Sequence, residues 1–113
     1  MIFNREDTTT IVLQENTSLK VFLENLKSGY PKIKNDNIIV NLFSFSKLTA
    51  NDVLEFHELS VAHRKLKKSF VLVTDKVTYE EVPDHIIVVP TIQEARDVIE
   101  MEEIERDLDL EEE

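Results

Sequence analysis

The groups in this chain with chemical potential are three histidines, a threonine and aspartate three residues apart, and a dense run of carboxylates near the C-terminus. A metal site on a helix needs histidines spaced i, i+4, so that both imidazoles lie on one face. His57 and His63 are six residues apart, which points them about 120° away from each other on a helix wheel, and His85 falls in a different segment. There is no His-x-His, no Gly-x-Ser-x-Gly, no phosphate-cradling glycine loop and no dinucleotide fingerprint. The absence of cysteine excludes disulfides, thiolate metal sites and cysteine nucleophiles. Paired carboxylates are abundant after Glu94, but on an exposed helix they are solvated, with no cleft to move a proton affinity toward general acid–base work. These readings argue for a protein that is not an enzyme and that carries no cofactor and no metal.

Thr49 and Asp52 have a simpler chemistry. They stand just before an apolar-periodic stretch, where a threonine hydroxyl and a carboxylate three positions on satisfy free N–H groups at a helix start, a capping box with Asp in place of Glu. The competing role for Thr49 is phosphate acceptor; the cap accounts for both residues without further assumption.

The elements that position these groups follow from hydrophobic period. Two short extended segments open the chain, Ile2–Arg5 and Thr9–Gln14. A helix capped by Thr17 or Ser18 runs to about Ser28, with Leu19, Phe22, Leu23 and Leu26 on one stripe. Gly29, the only glycine, then serves as a left-handed helix end, and Tyr30–Asn37 forms a loop. Three nearly continuous apolar runs, Ile38–Val40 continuing into Leu42-Phe43, Ser69–Val73 and His85–Val89, read as strands covered on both faces. Between the last two, only one helical turn fits, around Thr78–Glu81 and before Pro83. The helix between the first two places Phe56, Leu59, Ala62 and Leu66 on its core side with His63 among them. Leu54 and Val61 lie nearly opposite, with His57 close by, which is a candidate docking stripe. A final helix begins at Thr91, with Glu94 completing a capping box, and runs to Leu108. Ile92, Ala95, Val98 and Ile99 share its inner side, whereas Met101, Ile104 and Leu108 share another. That second stripe either folds back on the domain or engages a partner or a second copy.

Length and charge bound the rest. One domain over residues 1–108 suits a chain of 113 residues with 42% hydrophobic content, followed by a frayed acidic tail over 109–113. Of the net charge of −10, residues 94–113 contribute −9, from eleven carboxylates and two arginines. This segment repels nucleic acid and anionic lipid and attracts basic protein surfaces. The cluster Arg64, Lys65, Lys67 and Lys68 has no interleaved aromatics for base stacking and reads as cations placed at a helix C-terminus. With charges of both signs by residue 7 and no long apolar run, the expectation is a cytoplasmic protein that binds neither nucleic acid nor membrane.

The strand–turn–helix–strand pattern from Asn37 to Val73 resembles the centre of a STAS domain, the fold of bacterial anti-sigma factor antagonists. In that family the turn carries Asp-Ser-Ser-Gly and a partner kinase phosphorylates the second serine. The equivalent residues here are Thr49-Ala50-Asn51-Asp52, so Asn51 stands at the acceptor position and cannot be phosphorylated. The C-terminal run with Pro90-Thr91, Glu94-Ala95 and Met101-Glu102-Glu103 is similar to the ending of a small group of bacterial STAS-like chains sometimes labelled for ribonuclease Z. The histidine motif that a ribonuclease Z needs for its two zinc ions is missing. The resemblance implies an α/β STAS-like sandwich, with a four- or five-stranded mixed sheet and helices mainly on one face. It implies a protein-interaction module in bacterial regulation, with a regulatory kinase or sigma-factor regulator as partner. Thr49, Asn51, Asp52, Leu54, His57 and Val61 would form its contact surface. Met101, Ile104 and Leu108 would form a second surface, for a partner or for a homodimer. The alternative function is an accessory protein associated with a tRNA-processing nuclease.

Overall fold

The computed structural model describes residues 1–112, with side chains described through residue 109. The chain forms β1 (Ile2–Glu6), β2 (Thr9–Leu13), α1 (Leu19–Ile33), β3 (Asn37–Asn41), α2 (Ala50–Leu54), α3 (His57–Lys65), β4 (Phe70–Val73), a 3₁₀ turn (Tyr79–Glu81), β5 (Ile87–Val89) and α4 (Ile92–Glu112). The strands build one five-stranded sheet in the order β1-β2-β3-β4-β5. β1 is antiparallel to β2 across a tight turn at Asp7-Thr8, and the remaining pairs are parallel. The fold class is therefore α/β with a mixed sheet.

Alternation along the strands sorts two cores. Val12, Ile38, Val40, Phe70, Leu72 and Val88 face the layer that contains α1 and α2–α3, where Phe22, Leu26, Val53 and Phe56 are buried. Ile11, Ile39, Val71 and Val73 face the opposite side, where Ala95 and Ile99 of α4 cover them. Both faces of the central strands are thus dry, which is why these strands read as unbroken apolar runs. α4, the longest helix, takes one face and the other three helices take the other. α4 continues through Glu112, and the remaining residue assigned to the acidic tail, Glu113, lies outside the described residues.

Four local expectations are corrected. α1 does not stop at Ser28 but continues through Gly29, Tyr30 and Pro31 to Ile33. Its last turn is held from outside: Ile33 is buried, and the Tyr30 hydroxyl reaches Nδ1 of His63 at 2.7 Å. Gly29 is accordingly not a left-handed cap; a Cβ there would stand 2.5 Å from Cζ of Phe3, so the glycine makes room for that ring. The left-handed residue that does follow a helix end is Lys67, at φ 63.

The central helix is two helices. Glu55 and Phe56 donate to carbonyls only three residues back, Asp52 and Val53, and this tight step rotates α3 relative to α2. The inner face becomes Val53, Phe56, Ser60 and His63, whereas Ala62 and Leu66 are exposed and Leu59 is half-buried. The third strand ends at Asn41, whose side-chain oxygen accepts from the N–H of Phe43 and turns the chain, leaving that ring 46% exposed. The histidines do lie on different elements or helix faces, but the fold brings His85 against His57.

Candidate functional site

The Thr49 turn opens the outer surface of α2–α3. Asp52 N–H donates to Thr49 Oγ1 at 3.2 Å and Thr49 N–H donates to Asp52 Oδ2 at 3.0 Å, a complete capping box. The Thr49 hydroxyl is therefore occupied in holding the helix start. Thr49→Ala should cost about 1 kcal/mol in urea unfolding, and an unchanged midpoint would remove the cap from the account. Asn51 and Leu54 are exposed, Asp52 is half-buried, and the buried Val53 fastens this short helix to the core. His57 is exposed at the start of α3 and Val61 is half-buried one turn further on. Leu54, 38% exposed, is the main apolar contact this surface offers.

His57 has a neighbour that its sequence position conceals. His85 occupies the turn Pro83–Ile86, closed by the Ile86 N–H to the Pro83 carbonyl, and its Nε2 lies 2.7 Å from His57 Nδ1. The rings meet edge to face with centroids 4.6 Å apart. One imidazole donates and the other accepts, and the contact fastens the turn before β5 to α3. Among the described residues no group of three or more His, Asp or Glu is placed to hold a metal ion.

His63, the third histidine, belongs to a different system. It is fully buried, with Nε2 2.7 Å from the Asp36 carbonyl, which can only accept. Nε2 therefore carries the proton, and Nδ1 accepts from the Tyr30 hydroxyl. Burial lowers the pKa of His63, and the nearby Lys68 and Arg64 act in the same direction. Burial raises that of Tyr30. Asp36 in turn accepts from both Arg5 Nε and Nη2 at 3.2 Å and from Thr10 Oγ1 at 2.9 Å. This network joins the end of α1, the sheet edge and α3, and it is structural.

A second polar cluster fixes α4. Glu102 accepts from Arg64 at 3.1 Å and from the Ser69 hydroxyl at 2.5 Å, and Arg64 also donates to the Phe70 carbonyl at 3.2 Å. Arg106 reaches Ser69 Oγ at 3.2 Å and Asn37 Oδ1 at 3.4 Å. Arg64 is thus drawn out of the basic cluster that the sequence suggested. The half of α4 beyond Ile99 lies along its own domain through Glu102 and Arg106. Met101, Ile104 and Leu108 point the other way, exposed by 64%, 55% and 52%.

Beside the upper half of α4, a cleft of about 200 Å³ opens against the β1–β2 turn. It is lined by Glu6, Asp7, Glu100 and Glu103 with Arg96, which pairs with Glu6 at 2.9 Å. Asp7 adopts φ 54, a conformation that aspartate tolerates in a tight turn. This cleft had no signal in the sequence, because Glu6 and Arg96 are 90 residues apart. No described helix is long and apolar enough to cross a membrane. The chain matches no protein-family model and no curated protein.

Proposed function

We propose that this chain is a STAS-like protein-interaction module that docks a regulatory partner on the outer surface of α2–α3. The observation that carries the reading is the placement of Leu54 and His57 in solvent, with Val61 half-buried beside them, directly after the capped Thr49–Asp52 turn. A short helix anchored from below by Val53 and Phe56 presents these side chains on a firm base, which lowers the entropy lost on docking. The element order supports the resemblance to anti-sigma factor antagonists, because a strand, a capped turn and a helix stand where that family places its switch. Asn51 at the acceptor position removes phosphorylation as a switch here, so a kinase or sigma-factor regulator would bind without that control. In this reading the protein recognises a macromolecule and transforms nothing, in the bacterial cytoplasm.

The test is the double variant Leu54→Asp with Val61→Asp. A partner captured by the wild-type protein from the native cell, and identified by mass spectrometry, should be lost with the variant, while its far-UV circular dichroism stays native. Retained binding would falsify the helix-face assignment.

The reading as an accessory subunit of a tRNA-processing nuclease draws on a different observation, the open Met101–Leu108 stripe of α4. Deleting everything after Ile99 is a poor test of it, since the deletion also removes Glu102 and Arg106 and frees Arg64 and Ser69. Met101→Asp leaves those contacts intact and should release a nuclease bound there.

A further inference from the structure

We infer that the outer face of α4 is a docking site for a basic amphipathic helix of a protein partner. The site is separate from the α2–α3 surface, so its success or failure is independent of that assignment. Met101, Ile104 and Leu108 stand at i, i+3 and i+7, the spacing at which one helix meets another through a continuous apolar seam. They lie opposite the buried Ala95 and Ile99, so the helix cannot bury both stripes on its own sheet. The Glu102 and Arg106 hydrogen bonds hold this half of the helix against the domain, which presents the apolar stripe as a fixed platform.

Charge identifies the occupant. Glu105 and Asp107 are exposed beside the stripe, and Glu100 joins it to the cleft at the β1–β2 turn. Among the described residues that line the cleft, the carboxylates of Glu6, Asp7, Glu100 and Glu103 face one cation, the guanidinium of Arg96, a net charge of −3. A lysine or arginine flanking the partner's apolar residues would enter this cleft and donate charge-assisted hydrogen bonds to carboxylates already in place. A second copy of this chain is the poorer occupant. Pairing α4 with itself would set two acidic rims against each other around the same apolar contact.

The experiment uses the full-length protein and two fluorescein-labelled helical peptides. Both carry leucines at i, i+3 and i+7; one has lysine and arginine on its flanks and the other has glutamate. The basic peptide should bind in fluorescence anisotropy and the acidic one should not, and added salt should weaken the complex. Ile104→Asp should weaken binding at least about tenfold. Because this variant makes the protein more negative, loss of binding reports the apolar stripe and not bulk attraction. Glu100→Gln with Glu103→Gln should weaken binding several-fold and flatten the salt dependence. The proposal is overturned if the basic peptide does not bind, if Ile104→Asp binds as well as wild type, or if both peptides bind alike. It is also overturned if sedimentation shows a wild-type dimer that Ile104→Asp dissociates, for then a second copy covers the face.

Discussion

Replacing Phe22 with alanine should lower the unfolding free energy by about 3–5 kcal/mol, the largest effect expected of any single change described for this protein. Phe22 is fully buried in the layer between α1 and the sheet. Its ring meets Phe45 edge to face at 5.5 Å and Phe56 at 6.2 Å, so it joins α1 both to the loop after β3 and to the step between α2 and α3. Truncation leaves a cavity that none of these rings can fill without losing its other contacts. Domains of this size are stabilised by about 5–15 kcal/mol in all, so a large share of the total stability is at stake. The matching control is Leu66→Ala. A continuous helix wheel puts Leu66 in the core, but it is half exposed, and its removal should change stability by no more than about 0.5 kcal/mol. Urea unfolding of the two variants decides between the wheel and the observed break. Equal losses would mean that α3 has the phase of an unbroken helix.

His63→Leu should cost about 2–4 kcal/mol, because it strands the Asp36 carbonyl and the Tyr30 hydroxyl after removing the imidazole that joins them. The same residue makes stability depend on pH with a definite sign. Burial lowers its pKa from the ordinary value of 6.5. Above that value the imidazole is neutral in both the folded and unfolded chains, and its contribution is complete. As pH falls through 6.5 the unfolded chain takes up the proton first, so stability declines until the lowered folded value is reached. Unfolding free energies measured between neutral and mildly acidic pH should fall in the wild type and fall less in His63→Leu. His57 and His85 are common to both proteins and cancel in the comparison. Identical slopes would exclude His63 as the source.

The features visible in the sequence are those that act over a few residues. The caps at Thr49 and Thr91 were legible because the bonds that make them join residues three apart. The single turn before Pro83 was legible because Thr74–Asp84 is too short for a crossover helix, and Tyr79–Glu81 is that turn. The central strands were legible because burial on both faces leaves unbroken apolar runs. The candidate surface was legible only as a pattern. Leu54, His57 and Val61 could be placed on the outer side of a helix, and Met101, Ile104 and Leu108 on a stripe apart from Ile99, from period alone.

What the periodicity missed has long-range causes. α1 runs past a glycine and through a proline because His63, 33 residues further on, accepts from Tyr30. The break before His57 arises where Val53 and Phe56 must both enter the core, and a wheel drawn through the gap carries the wrong phase to Ala62 and Leu66. His57 and His85 meet across 28 residues, with no spacing rule to announce it.

The sequence by itself determined the α/β class, the capped helix starts and the apolar stripes, since local hydrogen bonds and side-chain period are properties of neighbouring residues. Only the tertiary structure decided which stripe is buried, which histidines touch, and that the acidic helix lies against its own sheet with Met101, Ile104 and Leu108 turned outward. The reason is physical: burial and ion pairing depend on which distant segment supplies the other half of each contact. Glu102 finds Arg64 and Ser69 only after β4 has been placed beside β3.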